Sequence, residues 1–180
     1  YGSQGRLMAG RILVAEYDGV HIIKFEGDVR LTLCVTVDGY LDWMFADDAF
    51  RGVVVDLNDT IGIDSTSLGI LAKLSIQAEK RFGFVPTLVC TNPDITRILL
   101  SMGFWDVFDI IEPPLENASQ LRELPSIKHV SEDELRRHVI EAHRVLMGMN
   151  ESNREAFKDL VAALEADEES NASGLIRKSA

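Results

Sequence analysis

Between the apolar run Gly52–Leu57 and a helix-like stretch opening at Leu68, the chain reads Asp64-Ser65-Thr66-Ser67. One acid and three hydroxyls at a strand–helix junction can do two kinds of work. Short polar side chains accept hydrogen bonds from the free N–H groups of a helix start, and an acid there suits the helix dipole. On these four residues alone, capping is the simpler reading. A hydroxyl in the same place can also be modified. A phosphate at a helix N-terminus meets free N–H groups and the positive end of the dipole, so the fold can tolerate it. It would still change the surface offered to a partner, adding roughly −1.5 to −2 charge.

Other chemistry has weaker support. The four histidines are His21, His129, His138 and His143, none near Ser65 in sequence. His138 and His143 are five positions apart, not at the four-residue spacing that puts two metal ligands on one helix face. There is no G-x-S-x-G elbow, no G-x-x-x-x-G-K-[ST] phosphate loop and no G-x-G-x-x-G fingerprint. A small hydrolase using Ser65 is a minor alternative; the reading is not an enzyme, with no metal and no cofactor. Cys34 and Cys90 each sit inside an apolar run and read as buried free thiols.

Composition narrows the class. The 180 residues suit one domain with an appended element, and 46% hydrophobic content supports a real core. The formal net charge of −11 argues against nucleic acid or an anionic membrane as partner, since both demand concentrated Lys and Arg. No stretch approaches the ~18 apolar residues of a membrane span, and no signal peptide is visible. A cytoplasmic setting is expected. Residues 1–10 read as an added lead followed by a native start at Met8.

The elements that must position Ser65 follow from local patterns. Asp18-Gly19 between two β-rich runs predicts a hairpin within Arg11–Gly27. Leu33, Val37, Leu41, Met44 and Phe45 recur at helical spacing. Gly52–Leu57, Val85–Thr91 and Val107–Ile111 read as strands. Between them lie a helix from Leu68 to a stop at Gly83, and a helix capped by Asn92 with Pro93 at its first position, closed by Gly103. Strands alternating with helices over short connections predict an α/β domain with parallel pairing. Pro113-Pro114 ends it, and a short helical piece is expected within Ser119–Leu124. Ser131 and Glu134 then form a capping box ahead of the stripe Leu135, Val139, Ala142, Leu146. Phe157, Leu160, Val161 and Leu164 give a second stripe, so an αα-hairpin is expected.

With these elements in place, residues 11–124 resemble a STAS domain of the anti-sigma factor antagonists. Phe25–Val29 (FEGDV) is similar to the family's segment after the second strand, and IDSTSLGIL to its Asp-Ser-[Ser/Thr]-Gly-Leu-Gly signature. LLSMGFWDVFDII resembles its third-helix ending. The resemblance implies a STAS-like mixed β-sheet with crossover helices. It also implies a phosphorylation-controlled, protein-binding switch of the kind that acts in partner-switching stress-response and transcription pathways. In such antagonists the serine after the aspartate is phosphorylated by a kinase that is often the anti-sigma factor itself; the unmodified form binds that partner, and a phosphatase, in some systems fused to a response-regulator receiver, resets it. Carried over, Ser65 is the phosphoacceptor, and Asp64, Thr66, Ser67, Asp28 and Asp59 are candidate partner-binding residues. Ser67 stands where the pattern has Gly, and Gly27-Asp28-Val29 replaces the usual Gly-Glu-[Ile/Leu]-Asp. Residues 125–166 form a helical extension, as in a proteobacterial subgroup, with a homodimer through these helices as a further expectation. Residues 167–180 read as a flexible tail. An accessory STAS subunit of a larger machine, such as a transporter ATPase, is the alternative role.

Overall fold

The structure, a computed structural model, describes residues 9–112 and 120–178. The chain opens with the predicted hairpin. Strands β1 (Arg11–Tyr17) and β2 (Val20–Val29) pair antiparallel, and the turn between them needs Asp18 at φ 50° and Gly19 at φ 81°. That is why Asp-Gly sits there. Helix α1 (Cys34–Ala46) buries all five of the apolar positions read from the sequence or its immediate lead-in. Strand β3 (Gly52–Asp56), strand β4 (Thr60–Ile63), helix α2 (Ser65–Phe82), strand β5 (Thr87–Val89), helix α3 (Pro93–Ser101) and strand β6 (Asp109–Ile111) follow. Gly83 ends α2 in the left-handed region at φ 75°. Asn92 caps α3 by accepting from the Asp94 N–H, with Pro93 at the first helical position.

The sheet runs β6-β5-β3-β2-β1-β7, where β7 is the two-residue Arg122–Glu123. β2–β3, β3–β5 and β5–β6 are parallel, as the alternation of strands and helices predicts. β2 is long enough to serve two partners on one edge. Val20–Lys24 pair with β3, and Gly27–Val29 pair with β4. The register shifts between Gly27 and Asp28, and Gly27 takes φ 76°. A glycine there lets the strand bulge around the β3–β4 turn, whose Asp59 carbonyl accepts from the Gly27 N–H.

Two local expectations are corrected. The short helix expected within Ser119–Leu124 is instead β7 over Arg122–Glu123, antiparallel to Leu13–Val14 of β1, with the Leu124 N–H bonded to the Ile12 carbonyl. Pairing with a free sheet edge outweighs the modest helix propensity of Leu, Arg and Glu. The tail expected to be flexible from Asp167 continues as helix: α5 spans Glu151–Lys178. Its Ala and Glu residues are good helix formers. Pro113-Pro114 lies outside the described residues.

Helix α4 (Glu132–Met149) starts at Ser131, whose hydroxyl accepts from the Glu134 N–H as the capping box requires. α4 and α5 pack antiparallel across Asn150 and are the expected αα-hairpin. They are not merely appended, however. α4 lies along α2, and a Cβ on Gly69 would come within 2.3 Å of the Ala142 carbonyl oxygen. Ala142 and Leu146 join the same core as Ile23, Leu71 and Leu74. Asn153, 2% exposed, donates to the Met102 carbonyl and pins the start of α5 to the end of α3.

A polar network ties α1, α2 and α4 together. Asp38, 5% exposed, accepts from Lys73 at 3.1 Å and pairs with His138 Nδ1 at 2.6 Å, while Lys73 also meets Glu141 at 2.9 Å. Burial works to lower the Lys73 pKa, but the Glu141 hydrogen bond and the Asp38 charge outweigh it, so the ammonium titrates above its ordinary value. Removing one member of a buried charge pair leaves the other uncompensated. Asp38→Ala should therefore cost about 2–4 kcal/mol, read by denaturant unfolding, and Lys73→Met in the same background should recover part of that loss. No recovery would mean the network is a bystander.

At the hairpin end of the sheet, His21 is fully buried against Phe50, Trp43 and Tyr40, with Nδ1 2.9 Å from the Tyr40 hydroxyl and Nε2 without a hydrogen-bond partner among the described residues. Burial lowers its pKa below the ordinary 6.5, and the nearby Glu16 and Asp47 charges only partly offset this. A depressed folded-state value makes the neutral form the stable one. The stabilisation is complete above the unfolded value and is lost as pH falls below it toward the folded value. Melting temperature should thus drop as pH falls through the range below 6.5, and His21→Phe should flatten that part of the profile. An unchanged slope in the variant would assign the acid sensitivity to other groups.

Candidate functional site

Ser65 is the first residue of α2, directly after the β4 strand. Its position is fixed by Asp64, the N-cap, whose carboxylate makes two bonds. One oxygen accepts from the Ser67 N–H at 2.9 Å, and the other accepts from the Leu31 N–H at 2.6 Å. The Asp64 N–H in turn bonds to the Val29 carbonyl. One side chain therefore both starts the helix and ties it to the loop after β2. Capping is real here, and it is performed by Asp64. The Ser65 hydroxyl is not needed for the cap.

The neighbouring hydroxyls face inward. Thr66 and Ser67 are 3% and 6% exposed, so in this conformation neither offers its side chain to a partner, whereas Ser65 is half-buried. Asp28 lies near the end of β2, paired with β4, and holds Arg30 at 2.9 Å. Asp59 lies on the β3–β4 turn and pairs with Lys24 at 2.6 Å. Both acids thus sit on the β2–β4 side of the sheet from which α2 departs, each with a cation beside it.

A hydrogen-bond partner of Ser65 that the sequence did not reveal is His143. Its Nε2 lies 2.8 Å from Ser65 Oγ, across 78 residues of chain. His143 is 1% exposed, and its ring stands edge-on to Phe157 of α5, centroids 5.0 Å apart. Nδ1 is 2.7 Å from the Val139 carbonyl one helical turn back. A carbonyl can only accept, so Nδ1 carries the proton and donates. In the neutral ring Nε2 is then the acceptor, and Ser65 donates its hydroxyl proton to it. The five-residue offset between the two histidines of α4 sends their rings to different places: His138 to Asp38, His143 to Ser65.

Beside this pair opens a cavity of about 490 Å³ between the start of α2 and the α4–α5 hairpin. Leu31, Leu135, Val139, Leu160 and Leu164 form its apolar wall, and Asp64, Glu132 and Arg136 supply its charged groups. Elsewhere, Glu16, His21 and Asp47, and separately Asp38, His138 and Glu141, bring potential metal-ligand atoms within 4.8 Å of one another. In the second group the Lys73 ammonium already bridges Asp38 and Glu141, which is the place a cation would take. Cys34 and Cys90 are free and buried, and burial pushes the Cys34 thiol up to about 11, away from reactivity.

A mixed sheet with this order and its crossover helices define a STAS-like fold. A solved structure described as an anti-sigma factor antagonist from Mycobacterium paratuberculosis is similar to this chain, at 24% sequence identity and a TM-score of 0.51, covering 59% of this chain and 88% of that one. At that identity the likeness establishes the fold, and the rest of this chain extends beyond it. No family model matches the sequence, and no curated protein matches it. Among the described residues, no helix is long and apolar enough to cross a membrane.

Proposed function

We propose that this chain is an anti-sigma factor antagonist that works as a phosphorylation-controlled switch, with Ser65 as the phosphoacceptor. The observation that carries the reading is the division of labour at the start of α2. Asp64 does the capping through one carboxylate oxygen and holds the loop after β2 through the other, Thr66 and Ser67 are buried, and Ser65 alone of the three hydroxyls stays half-exposed at a helix N-terminus. A phosphate is tolerated there by the fold and changes only the local surface. The unmodified form binds the anti-sigma factor or its kinase; the modified form releases it.

The test is affinity capture with Ser65→Ala and Ser65→Asp baits, then incubation of the wild-type chain with ATP and the retained kinase. One phosphate is expected, on Ser65, and none on Ser65→Ala. Peptide mapping that places it on Thr66 or Ser67 would sink the assignment.

The Ser65–His143 hydrogen bond favours one second reading, acyl transfer by a serine–histidine pair beside an apolar cavity. Its weak point is the far side of the ring. Nδ1 donates to a backbone carbonyl rather than a carboxylate, so no anion steadies the imidazolium that such chemistry forms. Turnover of a p-nitrophenyl ester, lost in Ser65→Ala, would establish it.

A further inference from the structure

His143 is placed where it can do more than hold a serine rotamer. Its Nδ1–H is committed to the Val139 carbonyl, so in the neutral ring Nε2 is an acceptor, 2.8 Å from the Ser65 hydroxyl. The ring cannot drift, because it is 1% exposed and packed against Phe157. α4 cannot easily withdraw it, because Ala142, next to His143, is packed against the backbone of Gly69, one turn on from Ser65. The lone pair is therefore aimed at the one proton that must leave when Ser65 Oγ becomes an ester.

We infer that His143 is the built-in proton acceptor for modification of Ser65 and then the counter-ion of the phosphoserine. The inference rests on Ser65 being the phosphoacceptor. In the step, the Oγ–P bond forms as the bond from the γ-phosphorus to the leaving oxygen of ATP breaks, ADP departs, and the hydroxyl proton passes to His143 Nε2. The product pairs a phosphoserine dianion with an imidazolium whose Nε2–H donates to a phosphate oxygen while Nδ1–H stays on Val139. This answers the objection to acyl transfer. An imidazolium without a carboxylate behind it is unsupported in an acyl reaction, but here the phosphoryl group itself supplies the anion. The charges around the ring fit that product. The Asp64 carboxylate is held by two N–H donors, Arg136 offers a cation at the cavity and Glu132 lies on the same rim; α5 places Phe157 against the ring and Leu160 and Leu164 in the cavity wall. The C-terminal hairpin thereby becomes part of the switch, because it delivers the group that registers the phosphate.

The experiment uses the full chain with phosphoserine installed at position 65 during translation, so that no kinase is needed. At neutral pH, NMR of isotope-labelled imidazole nitrogens should show His143 as the neutral Nδ1–H form in the unmodified chain and protonated on both nitrogens in the phosphorylated one. A neutral His143 in both chains overturns the inference, as does a ring released into solvent. Proton acceptance is read separately with diisopropyl fluorophosphate, where Oγ–P forms, fluoride leaves and the proton again goes to Nε2. Ser65 should be labelled about a hundredfold more slowly in His143→Gln, which keeps an acceptor at the hydroxyl but cannot take the proton. Equal labelling in a variant with wild-type circular dichroism rejects the role. If no kinase or partner is retained by the baits, the switch reading fails, yet both measurements on His143 still return a result.

Discussion

Gly69→Ala is expected to prise α4 from α2 and lower the melting temperature by roughly 2–8 °C. Two effects compete. In an isolated helix the change would be favourable, since alanine is a better helix former than glycine by about 1 kcal/mol. In this structure the new Cβ would lie 2.3 Å from the Ala142 oxygen, 2.6 Å from its carbonyl carbon and 2.8 Å from its Cα. All three are backbone atoms, which cannot rotate aside. The helices must separate, and overpacking of this kind costs about 1–3 kcal/mol. Steric cost therefore exceeds propensity, and the net sign is destabilising. The same displacement withdraws His143 from Ser65, so hydrogen exchange should rise in α4 together with the melting change. A variant that melts at or above the wild-type temperature would show that α4 is loosely seated and that the helix contact described above is wrong.

Ser65→Asp is expected to leave the fold intact and remove most partner binding. An acid at the first helical position is favoured by the dipole, and Ser65 is not part of the core. Circular dichroism and melting should stay close to wild type. Binding is another matter. A surface fitted to a neutral hydroxyl now meets a carboxylate beside Asp64, with Glu132 on the same cavity rim. Repulsion and desolvation that cost about 1.4 kcal/mol weaken binding tenfold, and one to several such steps are expected in a calorimetric titration with the protein retained by the Ser65→Ala bait. Undiminished affinity, or loss of affinity only through unfolding, would contradict a switch that works by local charge.

The parts of the fold legible in the sequence are those with a local physical cause. Asp18-Gly19, Asn92-Pro93, Gly83 and Ser131 mark turns and caps because the backbone there needs a particular residue, and each is where the pattern places it. β4 was not legible as a strand: four residues with Gly62 among them carry too little alternation, and it exists because the far half of β2 needs a partner. β7 ran against its own propensity for the same reason. The site divides along the same line. Asp64 and Ser65 can be read from their junction, whereas His143 cannot, because nothing local distinguishes a histidine that a hairpin will carry 78 residues back to a serine.

The brevity of β7 has a consequence for how the chain behaves when it is cut. β1 is seven residues long and largely apolar, and among the described residues its outer side is covered at Ile12, Leu13 and Val14, by the short segment Arg122–Leu124. At the other margin the sheet ends in β6, only three residues long. Short margins discourage two molecules from joining their sheets. A chain ending before Arg122 would keep its turns and crossover helices but present the β1 backbone as an open template, with the freed face of α2 nearby. Its failure would be intermolecular: strand addition between copies, giving concentration-dependent precipitation even where dilute samples still show native secondary structure.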